Sequence, residues 1–291
     1  MATIGKIERY HEPDTLAEAV AAAAQGPTTV VAGGTLIVRE SQPERLTCAP
    51  SLLNLQRVEE LRGITSSDDG IRIGALTSIR DILDHAELAT RATVLIRTAS
   101  QMASSQVRNL GTVGGNLCWA SPSADLAVPL LALNATVELA TWNGESTVRR
   151  SLDLRKFLVG KEKTALRDGE ILTATTIPAS ALSLRGGFQK SGTRVSLDTT
   201  LASAGIVAAV AGGMLANVRV AFGGVAATTM RAESTERTLA NQRLSDELIT
   251  DAVAVARAEI DPSDDERASA WYRRELIGVF LKRLLNELRN A

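Results

Sequence analysis

Apolar positions along the chain fall at helical spacing in some stretches and at strand spacing in others, and the two kinds mix without a steady strand–helix–strand rhythm. Pro13 and Asp14 lead into Thr15-Leu-Ala-Glu18, a capping-box arrangement, and then into an alanine-rich helix that Gly26 stops. A strand over 28–32 ends on a paired glycine, Gly33-Gly34, with Leu36, Ile37 and Val38 beyond it. Residues 51–55 read as another strand, and SSDDG at 66–70 as the turn between two more. A helical block starts at Thr77 or Ser78. A longer helix over 87–106 then places Leu88, Ala92, Leu95, Ile96, Ala99 and Met102 on one face and delivers the chain into a second paired glycine, Gly114-Gly115. Ser121-Pro122 begins the next helix, with Asp125 in its opening turn. Strands over 137–140 and 146–149 form a hairpin that turns at Asn143-Gly144, and 171–177 is one more strand, closed by Pro178.

Near 179–185 the pattern loosens and changes, which marks a domain boundary. From 188 to 225, small, apolar and polar residues alternate as three antiparallel strands would, with turns near Gly192 and Gly212-Gly213. Amphipathic helices over 246–260 and 269–288 follow, the second with Leu276, Val279, Phe280, Leu284 and Leu288 on one side. A length of 291 residues suits about two domains of roughly 150 residues each.

Composition removes several functions. Lys and Arg total 32 against 33 Asp and Glu, with no basic block and 3% aromatic residues, so the electrostatic footprint of a nucleic-acid binder is missing. Cys48 and Cys118 stand far apart without partners at metal-ligand spacing, which fits a reducing cytoplasm and excludes a cysteine-ligated cluster within this chain. The opening residues lack the apolar core of a signal peptide. The apolar run 201–216 is shorter than the roughly 20 residues of a spanning helix and holds Ser203, Gly205, Gly212 and Gly213, so the chain reads as soluble with no membrane span. His11 and His85, in a presumed loop and at a helix end, lack the partners of a metal site or triad. Neither glycine pair belongs to a G-x-G-x-x-G, and Gly160-Lys161 lacks the upstream glycine of a P-loop.

The glycine pairs carry the candidate chemistry. In VVAGGTLIV and in LGTVGGNL a β-branched run enters Gly-Gly and Thr or Asn follows at once. Such steps turn with positive φ, leave their N–H groups uncovered and admit a phosphate where a Cβ would block it. Gly33, Gly34, Gly114 and Gly115 therefore predict two loops converging on one diphosphate. Thr35, Thr112 and Asn116 add polar groups, and Arg39 and Arg108 are the nearest flanking charges. Asp125 has two readings, a first-turn acid on the helix dipole or an acceptor for ligand hydroxyls. Lys190 reads as a solvated strand lysine, and Trp119 as core or as a shield for a planar ligand.

These residues resemble a known family, the FAD-binding medium subunit of molybdenum hydroxylases, the group containing xanthine dehydrogenase and aerobic carbon monoxide dehydrogenase. The resemblance covers nearly the whole chain: Tyr10 and Pro13 with AEAV, VVAGGT, QVRNLGTVGGNLCWASPSADLAVPLLALNATVEL, GEILTATTIP, the K-x-G-x-R at 190–194, RVAFGGVAATTMRA and WYRRELIGVFLKRLL. It implies an α+β fold, with a two-lobed FAD-binding domain over 1–178 (lobes about 1–57 and 58–178). A small three-stranded antiparallel sheet with helices would follow over 179–291. It implies that Val31, Ala32, Gly33, Gly34, Thr35 and Leu36, with Thr112, Val113, Gly114, Gly115 and Asn116, hold the diphosphate and ribityl chain of FAD. Asp125 would accept from the sugar side, Leu172 would lie against the adenine or the ring, and Lys190 would sit close to the flavin. Many members carry Asp after AGGT where this chain has Leu36, which removes a polar contact but not a backbone cradle. By the same resemblance the molybdopterin-type molybdenum cofactor and the [2Fe-2S] clusters belong to a large and a small partner subunit, in a heterotrimer that can pair into a dimer of trimers. The expected role is electron transfer from those clusters through FAD to an external acceptor. The alternatives are a flavin-free scaffold subunit and a stand-alone flavin oxidoreductase.

Overall fold

A computed structural model describes residues 7–40, 48–192 and 199–290. The first lobe is a three-stranded parallel sheet in which Ser51–Asn54 lies between Arg9–His11 and Thr28–Val31. The helix Leu16–Ala23 carries the chain from one outer strand, Arg9–His11, to the other, Thr28–Val31. Its cap differs slightly from the capping box: Thr15 Oγ1 accepts from the Glu18 N–H at 3.2 Å, while the Glu18 carboxylate accepts from the N–H of Asp14 at 3.0 Å. Leu16, Ala19, Val20 and Ala23 pack on Leu53, Leu55, Val58 and Leu61, and this small core also takes in Leu76, Ala140 and Ile171 of the second lobe. The lobes are thereby joined by shared apolar burial. His11 lies on a strand, not in a loop.

The second lobe holds a five-stranded antiparallel sheet in the order Ile64–Ser67, Gly70–Gly74, Ile171–Pro178, Thr136–Trp142, Thr147–Asp153. Its hairpin closes through four residues, of which only Gly144 has positive φ, because the Asn143 side chain accepts from the N–H groups of Glu145 and Ser146. The expected helix over 87–106 is three: Ala86–Arg91, Thr93–Ser100 and Ser105–Leu110. Ala92 leaves helical geometry at φ −132° and ψ 51°, and Ala103 turns at φ 42°. Leu88, Ala92, Leu95, Ala99 and Met102 still share one core. Helical spacing reported a buried face, not an unbroken hydrogen-bond ladder. The chain after Gly34 enters a helix at once, Thr35–Glu40. The helix expected from Ser121 starts later, at Ala127, after a turn that contains Pro122 and Asp125.

The C-terminal part contains the three expected antiparallel strands, Arg185–Ser191, Ala202–Ala211 and Met214–Gly223, and a two-residue strand, Met230–Arg231, on the last edge. Gly212 and Gly213 make the central turn at φ 56° and 81°. Beyond Gly192, residues 193–198, including Arg194, lie outside the described residues. Helices Glu233–Leu239, Asp246–Glu259 and Ala270–Asn290 cover one face of this sheet, with Ile206, Val220 and Phe222 against Ile277, Phe280, Leu281 and Leu284. On the other face Phe188, Val207 and Ala221 join the second lobe's core. Among the described residues no helix is long and apolar enough to cross a membrane.

Candidate functional site

The first glycine pair sits where the strand Thr28–Val31 meets the helix Thr35–Glu40. A Cβ on Gly33 would overlap the Leu110 carbonyl oxygen and lie 2.6 Å from its carbon, so only glycine lets this loop rest on the 110–111 peptide. Gly34 faces open space and takes φ 68°, a left-handed conformation that reverses the chain. Among the described residues the N–H groups of Gly33 and Gly34 meet no acceptor, as the uncovered-amide reading requires.

The second pair is different. Thr112 caps the helix Val113–Trp119, with Oγ1 accepting from the Gly115 N–H at 3.0 Å. The N–H of Gly114 donates to the Ala75 carbonyl at 2.8 Å, and that of Val113 to the Thr77 carbonyl at 3.0 Å. Neither glycine has positive φ. The expectation of uncovered amides in the second loop is therefore corrected: they bind the cap and a neighbouring backbone. Gly114 is glycine because a Cβ would come within 2.8 Å of the Ala75 Cβ and 2.9 Å of its oxygen. What this loop leaves unmatched is a side-chain atom, Asn116 Oδ1, which is buried and has no partner.

Both loops border one cleft of about 1010 Å³. Val31, Ala32, Gly33, Gly34, Thr35 and Leu36 line it from one side, Thr112, Gly114, Gly115 and Asn116 from another, and Asp125 and Leu172 complete the set. Two candidates do not line it. Val113 is fully buried in the core, and Lys190 stands behind Asp125. Lys190 is no solvated strand lysine: its Nζ is 2.7 Å from Asp125 Oδ2, with 14% of its side chain exposed. Thr200 Oγ1 donates to Asp125 Oδ1 at 2.6 Å. Asp125 precedes its helix, so the helix-dipole reading is set aside, and its carboxylate links the cleft to the C-terminal sheet. Arg108 does not serve the cleft as a charge either, since it donates to the carbonyls of Met102 and Ala103 at 2.7 and 2.9 Å and pins the turn there. The side chain of Arg39 lies outside the described residues.

Trp119, read from the sequence as core or as a shield for a planar ligand, lines the cleft. Sequence reasoning missed other walls: Ile79, Met102 and Val107 make part of the cleft apolar, and Ser123, Thr199 and Arg267 also line it. Glu170 was readable only as part of GEILT; its carboxylate takes Arg150 Nε and Nη2 at 2.6 and 2.8 Å. These hydrogen bonds hold it below the usual carboxylate range in spite of its burial. Arg267 had no signal, because a polar loop says nothing about what it faces. Burial pushes the Cys118 thiol up to about 12, which makes it an inert wall residue. Among the described residues no three His, Cys, Asp or Glu are placed to hold a metal ion. The arrangement is a long cleft with open amides at one point, apolar walls and charges mostly cancelled in pairs, suited to binding and orienting an extended, part-anionic, part-planar molecule.

Residues 5–180 match the FAD binding domain in molybdopterin dehydrogenase, and residues 188–288 the CO dehydrogenase flavoprotein C-terminal domain. The chain is 31% identical over 240 residues to a glyceraldehyde dehydrogenase medium chain of Sulfolobus acidocaldarius, covering 81% of this chain and 82% of that one. It is 30% identical over 284 residues to a carbon monoxide dehydrogenase medium chain of Hydrogenophaga pseudoflava, covering 95% of each. A chain of reconstituted CO dehydrogenase from Oligotropha carboxidovorans superposes with a TM-score of 0.91 at 28% identity, over 100% of this chain and 99% of that one.

Proposed function

The chain belongs to the family of FAD-binding subunits of molybdopterin dehydrogenases, and on that premise we propose that it carries electrons from the iron–sulfur clusters of a partner subunit, through FAD, to an external acceptor. The observation that carries the reading is the single cleft bordered by both glycine loops, with the open amides of Gly33 and Gly34 and the orphaned Asn116 Oδ1 on it. The large majority of buried polar side-chain atoms in folded proteins are paired, so an orphan on a residue that lines the cleft favours a ligand that pairs it. The group fits: an anionic centre suits the first loop's amides, hydroxyls suit Asn116 and Asp125, and planar rings suit the apolar walls, including Leu172.

When bound, FAD supplies the ability to accept and release electrons, and the protein's share is binding, orientation and exclusion of water. Ala32, Gly33, Gly34 and Thr35 would hold the diphosphate, with Val31 and Leu36 as apolar flanks. Thr112, Val113, Gly114 and Gly115 would act by shaping the opposite wall, and Asn116 by direct contact. Lys190 would fix Asp125 from behind. We assign no general acid or base, because the ionised groups of the cleft are held by partners.

The division into 1–178 and 179–291 is part of this proposal and is supported by two separate family matches. So is a heterotrimer with a molybdenum-binding large subunit and an iron–sulfur small subunit, supported by the relatives named as medium chains. A cytoplasmic site is supported by two free cysteines, a state that a reducing compartment preserves. The test is co-purification with the partners, followed by a visible spectrum and by release and counting of flavin, iron and molybdenum. One FAD for each copy of this chain, with iron and molybdenum in the partners, is expected. A colourless chain that takes up no FAD on titration contradicts the proposal.

A further inference from the structure

The second glycine pair offers no free amide to an anionic group in the cleft, because its amides are bonded to Ala75 and Thr112. The two acids on the wall are cancelled internally, Asp125 by Lys190 and Glu170 by Arg150. Among the described lining residues one cation remains, Arg267, and it comes from the C-terminal part of the chain.

Its loop is fastened in place. Asp265 Oδ1 accepts from the N–H groups of Arg267 and Ala268 at 3.0 and 2.9 Å and from Arg273 Nη2 at 2.7 Å. Arg273 is itself buried, and its Nη1 donates to the carbonyls of Leu201 and Gly224. Leu201 follows Thr200, the residue whose hydroxyl holds Asp125 on the cleft wall. The backbone that carries Arg267 is thus tied to the same wall as Asp125. The guanidinium, by contrast, has a weak competitor: Glu266, 3.3 Å away, whose side chain is 79% exposed. Such a surface pair is weak and is screened by salt. Asp261 and Asp264 share the loop, but Asp261 stands 4.0 Å from Arg274 and Asp264 accepts from the Ala270 N–H at 2.5 Å.

We infer that Arg267 is the cation this chain offers to an anionic group of the dinucleotide bound in the cleft, a contact supplied across the molecule by the C-terminal part. The inference rests on the proposed function. Two groups of FAD have the required chemistry, the diphosphate and the ring in its reduced, anionic form, and the test separates them. Full-length wild type, Arg267→Gln and Arg267→Lys, each freed of flavin, are titrated with oxidised FAD at low and at moderate salt. The midpoint potential of the bound flavin is then measured. Loss of one charged hydrogen bond predicts about tenfold weaker binding of FAD by Arg267→Gln, a smaller salt dependence and partial recovery in Arg267→Lys. That result assigns the diphosphate. Unchanged affinity with a lowered potential assigns the reduced ring. Equal affinity and equal potential in wild type and Arg267→Gln overturn this inference alone, whereas a wild type that takes no FAD overturns the proposed function and this inference with it.

Discussion

The two Gly-Gly steps look alike in the sequence and do different work. At Gly33-Gly34 the first glycine lets one loop lie on the Leu110 carbonyl and the second reverses the chain, and the amides of both residues, which line the cleft, have no acceptor among the described residues. At Gly114-Gly115 the backbone is an ordinary helical first turn, and glycine serves close packing on Ala75. One pair presents its backbone and the other hides it. The lesson is that a glycine pair signals close approach, but the thing approached can be a ligand or the protein itself.

Substitutions separate the two roles. The largest effect belongs to Gly33→Ala: the added methyl must push the 110–111 peptide away, costing about 3 kcal/mol in urea or thermal unfolding and abolishing FAD retention. A stable, fully loaded Gly33→Ala variant would show that the loops are not in contact. Next comes a control on the opposite wall. Because Arg150 holds Glu170 below its ordinary pKa, the folded state favours the ionised form. The resulting stability is full above the unfolded value of 4.5 and is lost as pH falls through the lowered folded value. Glu170→Gln should therefore cost about 2 kcal/mol at neutral pH, with the deficit shrinking in acid. A deficit that is the same at pH 3 and pH 7 would contradict the assigned cause.

Gly34→Ala is milder, since nothing lies within 4 Å of its Cβ. A left-handed alanine costs about 1 kcal/mol, so unfolding should shift slightly while FAD binding persists in weakened form. Smallest in stability is Asn116→Ala, which removes an unpaired buried oxygen. Its unfolding free energy should stay level or rise by up to about 1 kcal/mol, while FAD binds about tenfold more weakly. A fall in both would make Asn116 a structural residue and not a ligand contact.

Local features were legible where neighbours in sequence are neighbours in space. The Thr15 cap, the turn at Gly212-Gly213 and the strand Ile171–Pro178 depend on residues a few positions apart. The cap at Thr112 was equally short-range, a Thr ahead of an apolar residue, and reading it would have revealed a helix where a turn was expected. Other parts were not legible for a physical reason. The Gly114 amide is covered by Ala75, whose carbonyl arrives from another strand end. Lys190 is buried against Asp125 only because the C-terminal sheet packs there, and Arg267 reaches the cleft only through Asp265 and Arg273. Three helices in place of one over 86–110 share one apolar face, so spacing alone could not find the breaks.

Amide hydrogen exchange, resolved by residue in the full-length chain with and without FAD, tests the asymmetry of the loops most directly. The account predicts that Gly33 and Gly34 exchange quickly in the free protein and become protected on adding FAD, while Gly114 and Gly115 are protected from the start and change little. Fast exchange at Gly114 and Gly115 that FAD suppresses, with no response at Gly33 and Gly34, would contradict it.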